Sequence, residues 1–379
     1  MATIASSPSR SSGQFAAMRS TPVTYWAMLG ATFLCLAAYV WGSWMLSPDF
    51  RPSPVGPDPL PHNVWLAIKI VEGVASCAIV GMLGFFVVRP LIKTGAVSLD
   101  GMLVLNFLLM WWTDPIDNYI NFSFMYNAYA VNMGGWANYI PGWSYPNHQN
   151  LPEPLLLMGG FYLSMSMLNA VFGCWLLKKT NEWWPSMRLG GKMVILFVAF
   201  AIIDTVIENA IMRTGIAAYP GVIRSISLFP GEVYQWPLYE AGIIAFVNTG
   251  FTCLRYYKDD KGLTFVEKGI DTLKLSSGKR KVLSFFALAG FIQPWFLIAY
   301  FLPYNLFVIH SDTFPPYPSY LRVMICGEGT EYACPSKDWV PIPTRTSKNN
   351  VGPNDPRLPQ EIRDAQGITA SGKDPYASH

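Results

Sequence analysis

Seven apolar stretches, each long enough to cross a lipid bilayer, dominate this sequence. A bilayer core of roughly 30 Å requires about 20 predominantly apolar residues in a helix. The stretches cover about 24–46, 64–88, 99–126, 154–177, 191–212, 237–254 and 282–308. Hydrophobic residues make up 51% of the 379 residues and charged residues only 13%, which is too apolar for an ordinary soluble domain. The sequence therefore predicts an all-α, polytopic membrane helix bundle with about seven transmembrane helices.

The distribution of lysine and arginine between the loops predicts the orientation of this bundle. Cytoplasmic loops of membrane proteins carry an excess of positive charge. Sixteen lysines and arginines lie in the N-terminal arm and in the loops after the second, fourth and sixth stretches, against three in the alternate loops. We therefore expect a multi-pass protein of the cell membrane with a cytoplasmic N-terminus and its C-terminal tail outside. The basic residues of 255–281 are typical of a solvated loop, and we expect no nucleic-acid partner.

Composition divides the chain into three regions. Residues 1–20 are rich in serine and predict a disordered N-terminal arm, and residues 21–310 form the transmembrane domain. Residues 311–379 predict an extracytoplasmic, largely disordered tail, because its later part is rich in Pro, Ser, Lys and Asp. Cys326 and Cys334 lie close together in this tail, where either a disulfide or two free thiols remain possible. No histidine stands nearby, so we expect no zinc site.

Carboxylates occur where the third apolar stretch ends. Asp114, Asp117, Asn118 and Asn121 are spaced at i, i+3, i+4 and i+7, which places them on one face of a helix. An ionised carboxylate inside a bilayer is unfavourable by several kcal/mol, so such acids usually line a cavity, pair with a partner or stay protonated. The spacing predicts a polar face that points into the bundle.

The fifth stretch carries a second cluster of the same kind. Asp204 and Glu208 are four residues apart, and Asn209 follows Glu208 as Asn118 follows Asp117. Both stretches run outward by the charge distribution, so both clusters lie in the outer half of the membrane. We therefore expect one shared cavity with Asp114, Asp117, Asp204 and Glu208 as acid–base candidates and the three asparagines as substrate-binding residues. The alternative is that the acids only connect helices through hydrogen bonds.

Two aromatic loops on the same side predict a cap over this cavity. They follow the third and fifth stretches, carry few cations and are rich in Gly, Pro and aromatic residues. Their substrate-binding candidates, together with the start of the sixth stretch, are Trp136, His148, Glu232, Tyr234, Trp236 and Glu240. The alternative for Glu232 and Glu240, and also for Glu153, is a favourable interaction with a helix dipole. The alternative for His148 is a solvated loop histidine.

Motifs of cofactor-dependent chemistry do not occur in the sequence. It contains no Gly-rich dinucleotide or phosphate loop, no G-x-S-x-G and no His-rich box, and the ligands that zinc or haem would need do not cluster. The residues therefore predict a reaction without a cofactor and without a metal.

Three segments carry a resemblance to a known family. They are WWTDPIDNYINFSFMYNAYAVNMGGWANYIPGW, IIDTVIENAIMRTGIAAYPG and PGEVYQWPLYE. They resemble the AveC-like spirocyclases, a family of actinobacterial integral membrane proteins, and the resemblance covers roughly residues 20–310. It implies a cyclase of secondary metabolism that converts a dihydroxy-ketone polyketide into a spiroketal with loss of water and without a redox cofactor. It assigns no catalytic residues, so the candidates above depend on helix faces and depth.

The expected function is therefore acid–base-catalysed, dehydrative ring closure of a hydrophobic, polyketide-like hydroxy-ketone by a protein embedded in the lipid bilayer. Asp117 or Glu208 would protonate the ketone or the hemiketal hydroxyl, and Asp114 or Asp204 would accept the proton of the attacking hydroxyl. Two alternatives remain. A terpene or carotenoid cyclase would use the same acids on an alkene or epoxide, and a lipid or small-molecule carrier would use no chemistry. An inverted repeat with broken helices would favour the carrier.

Overall fold

The computed structural model describes residues 21–143, 145–327, 330 and 334–337. The helices are α1 (Pro22–Met45), α2 (His62–Met82), α3 (Arg89–Thr94), α4 (Leu99–Met110), α5 (Met158–Trp183), α6 (Leu189–Met212), α7 (Leu238–Tyr256), α8 (Ser277–Phe296), α9 (Leu302–Val308) and α10 (Ser319–Arg322). One π-helical turn, Leu83–Val88, joins α2 to α3, and another, Leu297–Phe301, joins α8 to α9. The described part of the chain is therefore mostly helical. The predicted N-terminal arm, 1–20, lies outside it.

Five helices are long and apolar enough to cross a membrane. They are Pro22–Met45, His62–Thr94, Met158–Trp183, Leu189–Met212 and Ser277–Val308. These five correspond to the first, second, fourth, fifth and seventh predicted stretches. The sixth corresponds to α7, which has 19 residues but is less apolar because it includes Glu240 and Arg255. The third stretch differs most from the prediction, since α4 has only 12 residues.

The expectation that one helix covers 99–126, with at most a kink at Pro115, was wrong, and Pro115 explains why. The α-helix ends at Met110, and residues Trp111–Asn118 form a 3₁₀ helix that contains Pro115. Proline has no N–H to bond to the carbonyl of Trp111, and its ring clashes with that carbonyl in an α-helix. Thr113 also donates its hydroxyl to the carbonyl oxygen of Met110 at 2.7 Å. The polar residues beyond Asn118 therefore lie in the following loop.

The helices pack as a bundle in which α4, α5, α7 and α8 are central. In the described chain α4 contacts α5 and α8, while α5 also contacts α2 and α7. The outer helices α1 and α6 lie against α8 and α7, respectively. The large exposed apolar side chains of α6, such as Val194, Val198 and Ile202, form an outward face suited to lipid.

The loops at one end of the bundle form an ordered cap. Strand β1 (Met125–Tyr126) follows the 3₁₀ helix and pairs antiparallel with β2 (Ala217–Ala218), which follows α6. Strand β3 (Ser227–Leu228) pairs with β4 (Trp236–Pro237), which leads into α7. The two loops that sequence analysis assigned to a cap are thus connected by main-chain hydrogen bonds.

The first part of the predicted tail packs on this cap. Leu321, Val323 and Ile325 are buried in an apolar cluster with Phe122 and Met125 of the cap. Cys326 and Cys334 form a disulfide. Ordered structure therefore extends beyond residue 310, while residues 338–379 lie outside the described part of the chain.

A glycine contact between α1 and α8 leads to a testable prediction. A Cβ atom added at Gly290 would overlap the carbonyl oxygen of Trp26, so α1 and α8 approach each other closely there. We expect Gly290→Ala to lower the free energy of unfolding in detergent by about 1–3 kcal/mol, because the helices must separate. Gly278→Ala is the matched control, since the same helix leaves open space at that position. Equal thermal stability of the two variants would contradict this account.

Candidate active site

Two acids of the 3₁₀ helix face the interior of the bundle. A 3₁₀ helix has three residues per turn, so Asp114 and Asp117 lie one above the other on the same side. Both are almost completely buried. The change from α-helix to 3₁₀ helix therefore aligns these two carboxyl groups, whereas an α-helix would have offset them.

Helix α6 contributes two more acids from a single buried stripe. Its buried residues recur every four positions along one face and are Leu196, Phe200, Asp204, Glu208 and Met212. Two of these five inward positions are carboxylic acids. Glu240 adds a fifth acid from the first turn of α7 and is 1% exposed.

These five acids line one cavity beneath the cap. Its walls are otherwise mainly apolar and aromatic, and its volume is about 70 Å³. The lining residues come from the 3₁₀ helix, the cap, α4, α5, α6, α7 and the end of α8. They are Met110, Asp114, Asp117, Phe124, Tyr126, Met158, Phe161, Tyr162, Met165, Ser166, Asp204, Glu208, Glu240, Ile244, Val247, Asn248, Phe296 and Tyr300. The cavity is therefore acidic on one part of its wall and apolar on the rest.

Tyrosine hydroxyls donate to three of the acids. Asp114 accepts from Tyr162 at 2.7 Å and from Tyr126 at 2.9 Å. Each bond to a carboxylate favours its ionised form, and Asp114 accepts more tyrosine hydroxyls than the other four acids do in the described chain. Tyr126 comes from β1 and Tyr162 from α5, so this acid is held by two separate elements.

Glu208 and Glu240 each accept one such bond. Tyr219, which follows β2, donates to Glu208 at 2.6 Å. Tyr300 donates to Glu240 at 2.7 Å. Tyr300 belongs to the π-helical turn after α8, and such turns are frequent at functional sites. The hydroxyl of Tyr300 thus connects this turn to the first turn of α7.

Glu153 lies behind the cavity wall and contacts Asp114. Its side chain is fully buried, and neither carboxyl oxygen has a hydrogen-bond donor in the described part of the chain. Burial, with the neighbouring charge of Asp114 second, raises the pKa of Glu153 well above its usual value. Only a protonated Glu153 would be able to donate to the neighbouring carboxyl group of Asp114, since two ionised carboxylates have no proton between them. For Glu153, the sequence left a catalytic role and a favourable interaction with a helix dipole both open.

The asparagine candidates do not line the cavity. The side-chain oxygen of Asn118 accepts from the main-chain N–H groups of Ser123 and Phe124, which shapes the turn into β1. Asn121 is buried beyond the 3₁₀ helix, and Asn209 interacts with Arg213 on the outer side of α6. Asn118 and Asn121 do not share an α-helical face with the acids, because the α-helix is interrupted at Pro115. Asn209 follows Glu208 by one residue and therefore lies outside the buried face of α6.

The cap candidates also serve mainly as structure. The Trp136 indole donates to the carbonyl of Trp112 and packs in a tryptophan cluster. His148 is buried between aromatic rings, and this burial lowers its pKa to about 3, so the imidazole is neutral at physiological pH. It is therefore not the solvated loop histidine that was the alternative.

The segment before α7 divides between surface and interior. Glu232 is exposed, and the ring of Tyr234 lies beneath the guanidinium of Arg213. Trp236 is buried beside the carboxyl group of Glu208. Among the candidates of the cap segments, only Glu240 lines the cavity.

The tyrosines of the site were missed by sequence analysis. The four tyrosines that donate to the acids are Tyr126 of β1, Tyr162 of α5, Tyr219 just after β2 and Tyr300 of the π-helical turn. Each contacts an acid outside its own element, so the residue spacing within one helix does not reveal the pair. The chain has 19 tyrosines, so tyrosine alone gives no signal. The described residues contain no group of three or more His, Cys, Asp or Glu arranged to hold a metal ion.

Comparison with known proteins identifies the family. The family model described as Spirocyclase AveC-like matches residues 96–319, more than half of the chain. This match includes all five acids of the cavity, Glu153 and the four tyrosines. No curated protein and no solved structure matches the chain significantly. The chain belongs to the AveC-like spirocyclase family.

Proposed function

We propose that this protein is a membrane-embedded, cofactor-independent cyclase that forms a spiroketal from a hydrophobic, polyketide-like hydroxy-ketone. The observation that carries the proposal is the cavity itself, in which five carboxyl groups meet apolar and aromatic walls. Acid–base groups next to an apolar surface suit a reaction that only moves protons and expels water from a hydrophobic substrate.

The hydrogen bonds favour particular roles for the acids. Tyr300 donates to Glu240, and Oδ1 of Asp117 is buried without a hydrogen-bond partner in the described chain. Asp117 would protonate the ketone, because it lacks the tyrosine donors that favour the ionised form of a carboxyl group, and Glu208 would be the other candidate acid. Asp204 would accept the proton of the attacking hydroxyl, and Asp114, with its two tyrosine donors, would remain ionised and stabilise positive charge.

The reaction can be written as two ring closures. The first hydroxyl adds to the protonated ketone carbon, forms a C–O bond and gives its proton to the carboxylate base. The hemiketal hydroxyl is then protonated and leaves as water, and the second hydroxyl bonds to the same carbon and loses its proton. One water is released and no electrons are transferred, so the four candidate acids suffice.

The proposed topology has seven transmembrane spans. Helix α4 and the 3₁₀ helix after it are together about 34 Å long, which is enough to cross a bilayer core, and α7 completes the count. The charge distribution of the loops supports a cytoplasmic N-terminus, with the cap and the tail outside. The substrate would then reach the cavity from the outer leaflet.

The first experiment identifies the molecule that the protein retains. The full chain is purified in mild detergent, and small molecules extracted from wild type, Asp117→Asn and Glu208→Gln are compared by mass spectrometry. An uncyclised hydroxy-ketone that accumulates in the variants would support the proposal. An isoprenoid would indicate a terpene-type cyclase, and ordinary phospholipid alone in all three would contradict cyclase function.

A further inference from the structure

The cavity is lined by acids without a basic partner among the described residues. Its lining includes five carboxylic acids, and no lysine, arginine or histidine of the described chain lies on it. Buried carboxylates in proteins are normally paired with a cation or stay protonated. We propose that this cavity is a binding site for an organic cation, and that within the proposed function it stabilises the cationic, oxocarbenium-like form of the substrate. This inference therefore rests on the proposed function for its biological meaning.

Three carboxyl oxygens of these acids have no hydrogen-bond partner. They are Oδ1 of Asp117, Oδ2 of Asp204 and Oε2 of Glu240, as far as the described chain extends. These three residues are each at least 96% buried and line the cavity from three different elements. Leaving a buried acceptor unsatisfied costs about 1–3 kcal/mol, more if it is charged, so a cation bound in the cavity near these acids would offset part of that cost.

Aromatic rings supply a second kind of contact. Phe296 and Tyr300 stack with a centroid separation of 4.9 Å, and Tyr162 meets Phe296 edge to face at 5.6 Å. The face of an aromatic ring attracts a cation by about 0.5–2 kcal/mol, and most when water is excluded. A quaternary centre, which cannot donate a hydrogen bond, could be held by these rings and by the charge of the acids. A neutral molecule of the same shape would gain neither interaction.

The chemistry of ketal formation provides such a charge. When the C–O bond of the hemiketal breaks, the departing oxygen takes its bonding electron pair and an acid's proton and leaves as water. The remaining carbon shares a positive charge with its ring oxygen. This charge disappears when the second hydroxyl oxygen donates an electron pair to the carbon and passes its proton to a carboxylate. A cavity that prefers the cation would lower the barrier for both steps.

The test uses a permanently charged probe. A spiro quaternary ammonium ion made of a five- and a six-membered ring is compared with the neutral spiroketal of the same ring sizes. Binding to the full-length protein in detergent is measured by calorimetry. We expect the cation to bind at least about tenfold more tightly, which corresponds to roughly 1.4 kcal/mol of the interactions above. Equal affinity of the two probes would overturn the inference.

Variants locate the site of binding. Asp204→Asn and Glu240→Gln should each reduce the affinity for the cation about tenfold or more and leave the affinity for the spiroketal nearly unchanged. Glu232→Gln is the matched control, because Glu232 is an exposed carboxylate near the same cap. An equal loss in the control, or no loss in the cavity variants, would show that the cation binds elsewhere.

Proton release separates a cavity effect from a surface effect. The probe has no titratable group, so any proton released on binding comes from the protein, whose groups facing the cavity are the five acids and Tyr126, Tyr162 and Tyr300. We expect release of protons and an affinity for the cation that rises with pH, and binding without proton release would contradict the inference.

These binding tests do not require turnover. Cation binding without a cyclised product would refute only the proposed reaction, and turnover without cation preference would refute only this inference.

Discussion

Replacing Asp117 by asparagine is expected to lower the rate of ring closure by about 10²–10⁴-fold while the protein stays folded in the membrane. General acid catalysis by a positioned side chain contributes this much, and an amide of the same shape cannot transfer the proton. The hydrogen bond from Tyr300 to Glu240 does not involve Asp117 and is therefore preserved. The measurement is single-turnover conversion of a hydroxy-ketone identified by the extraction experiment.

Control variants distinguish a chemical role from a structural one. Glu208→Gln should lower the rate to a comparable degree if Glu208 is the second acid, and Glu232→Gln should leave the rate unchanged because Glu232 is exposed outside the cavity. Thermal unfolding in detergent verifies that the Asp117 variant is folded. Full activity in both Asp117→Asn and Glu208→Gln would refute the proposed acid–base mechanism.

Substitution of Glu153 has the second-largest expected effect. Glu153→Leu removes the proton donor behind Asp114 and should lower the rate of ring closure by about 10- to 100-fold, the effect typical of a residue that orients a functional group. Glu153→Gln should retain most of the activity, because its amide N–H₂ group can donate to Asp114 as the protonated acid does. If the side chain of Glu153 only fills space, Glu153→Leu and Glu153→Gln should have the same rate of ring closure.

The pH dependence provides an independent measurement for Glu153. Its folded-state pKa is raised by burial, so the native protein holds a proton there that the unfolded chain loses at lower pH. The stability from this protonated group is fully present below the unfolded pKa and is lost as the pH rises through the folded pKa. Glu153→Gln has no such proton to lose. Its unfolding temperature should therefore fall less than that of wild type as the pH increases.

The acids of α6 show how much of the site can be predicted from sequence. Asp204 and Glu208 lie on the inward face because a regular helix repeats every 3.6 residues, and no helix breaker interrupts α6. Asp114 and Asp117 were also predicted to face inward, but for a reason that is only partly correct. The predicted α-helix is replaced by a 3₁₀ helix around Pro115, and its repeat of three residues per turn places the same two acids on one side.

The partners of these acids could not be predicted in the same way. Asp114 contacts Tyr126, Tyr162 and Glu153, which lie between 12 and 48 residues away in the sequence, and Tyr300 contacts Glu240 across 60 residues. Such contacts depend on how helices and cap loops dock, and no local spacing encodes them. The same reason explains why Trp136 and His148 were taken for ligand contacts rather than for the interior of the cap.

The sequence by itself determined that the chain is a helical protein with long apolar segments, that its family is AveC-like spirocyclase, and that α6 presents two acids on one face. These properties follow from composition, from motifs and from the helical repeat, all of which are local. Only the tertiary structure decided that Asp114, Asp117, Asp204, Glu208 and Glu240 share one cavity, that four tyrosines donate to three of these acids, and that no lysine, arginine or histidine of the described chain lines the wall. Those facts arise from contacts between distant elements, which form only when the bundle and its cap close around the same space.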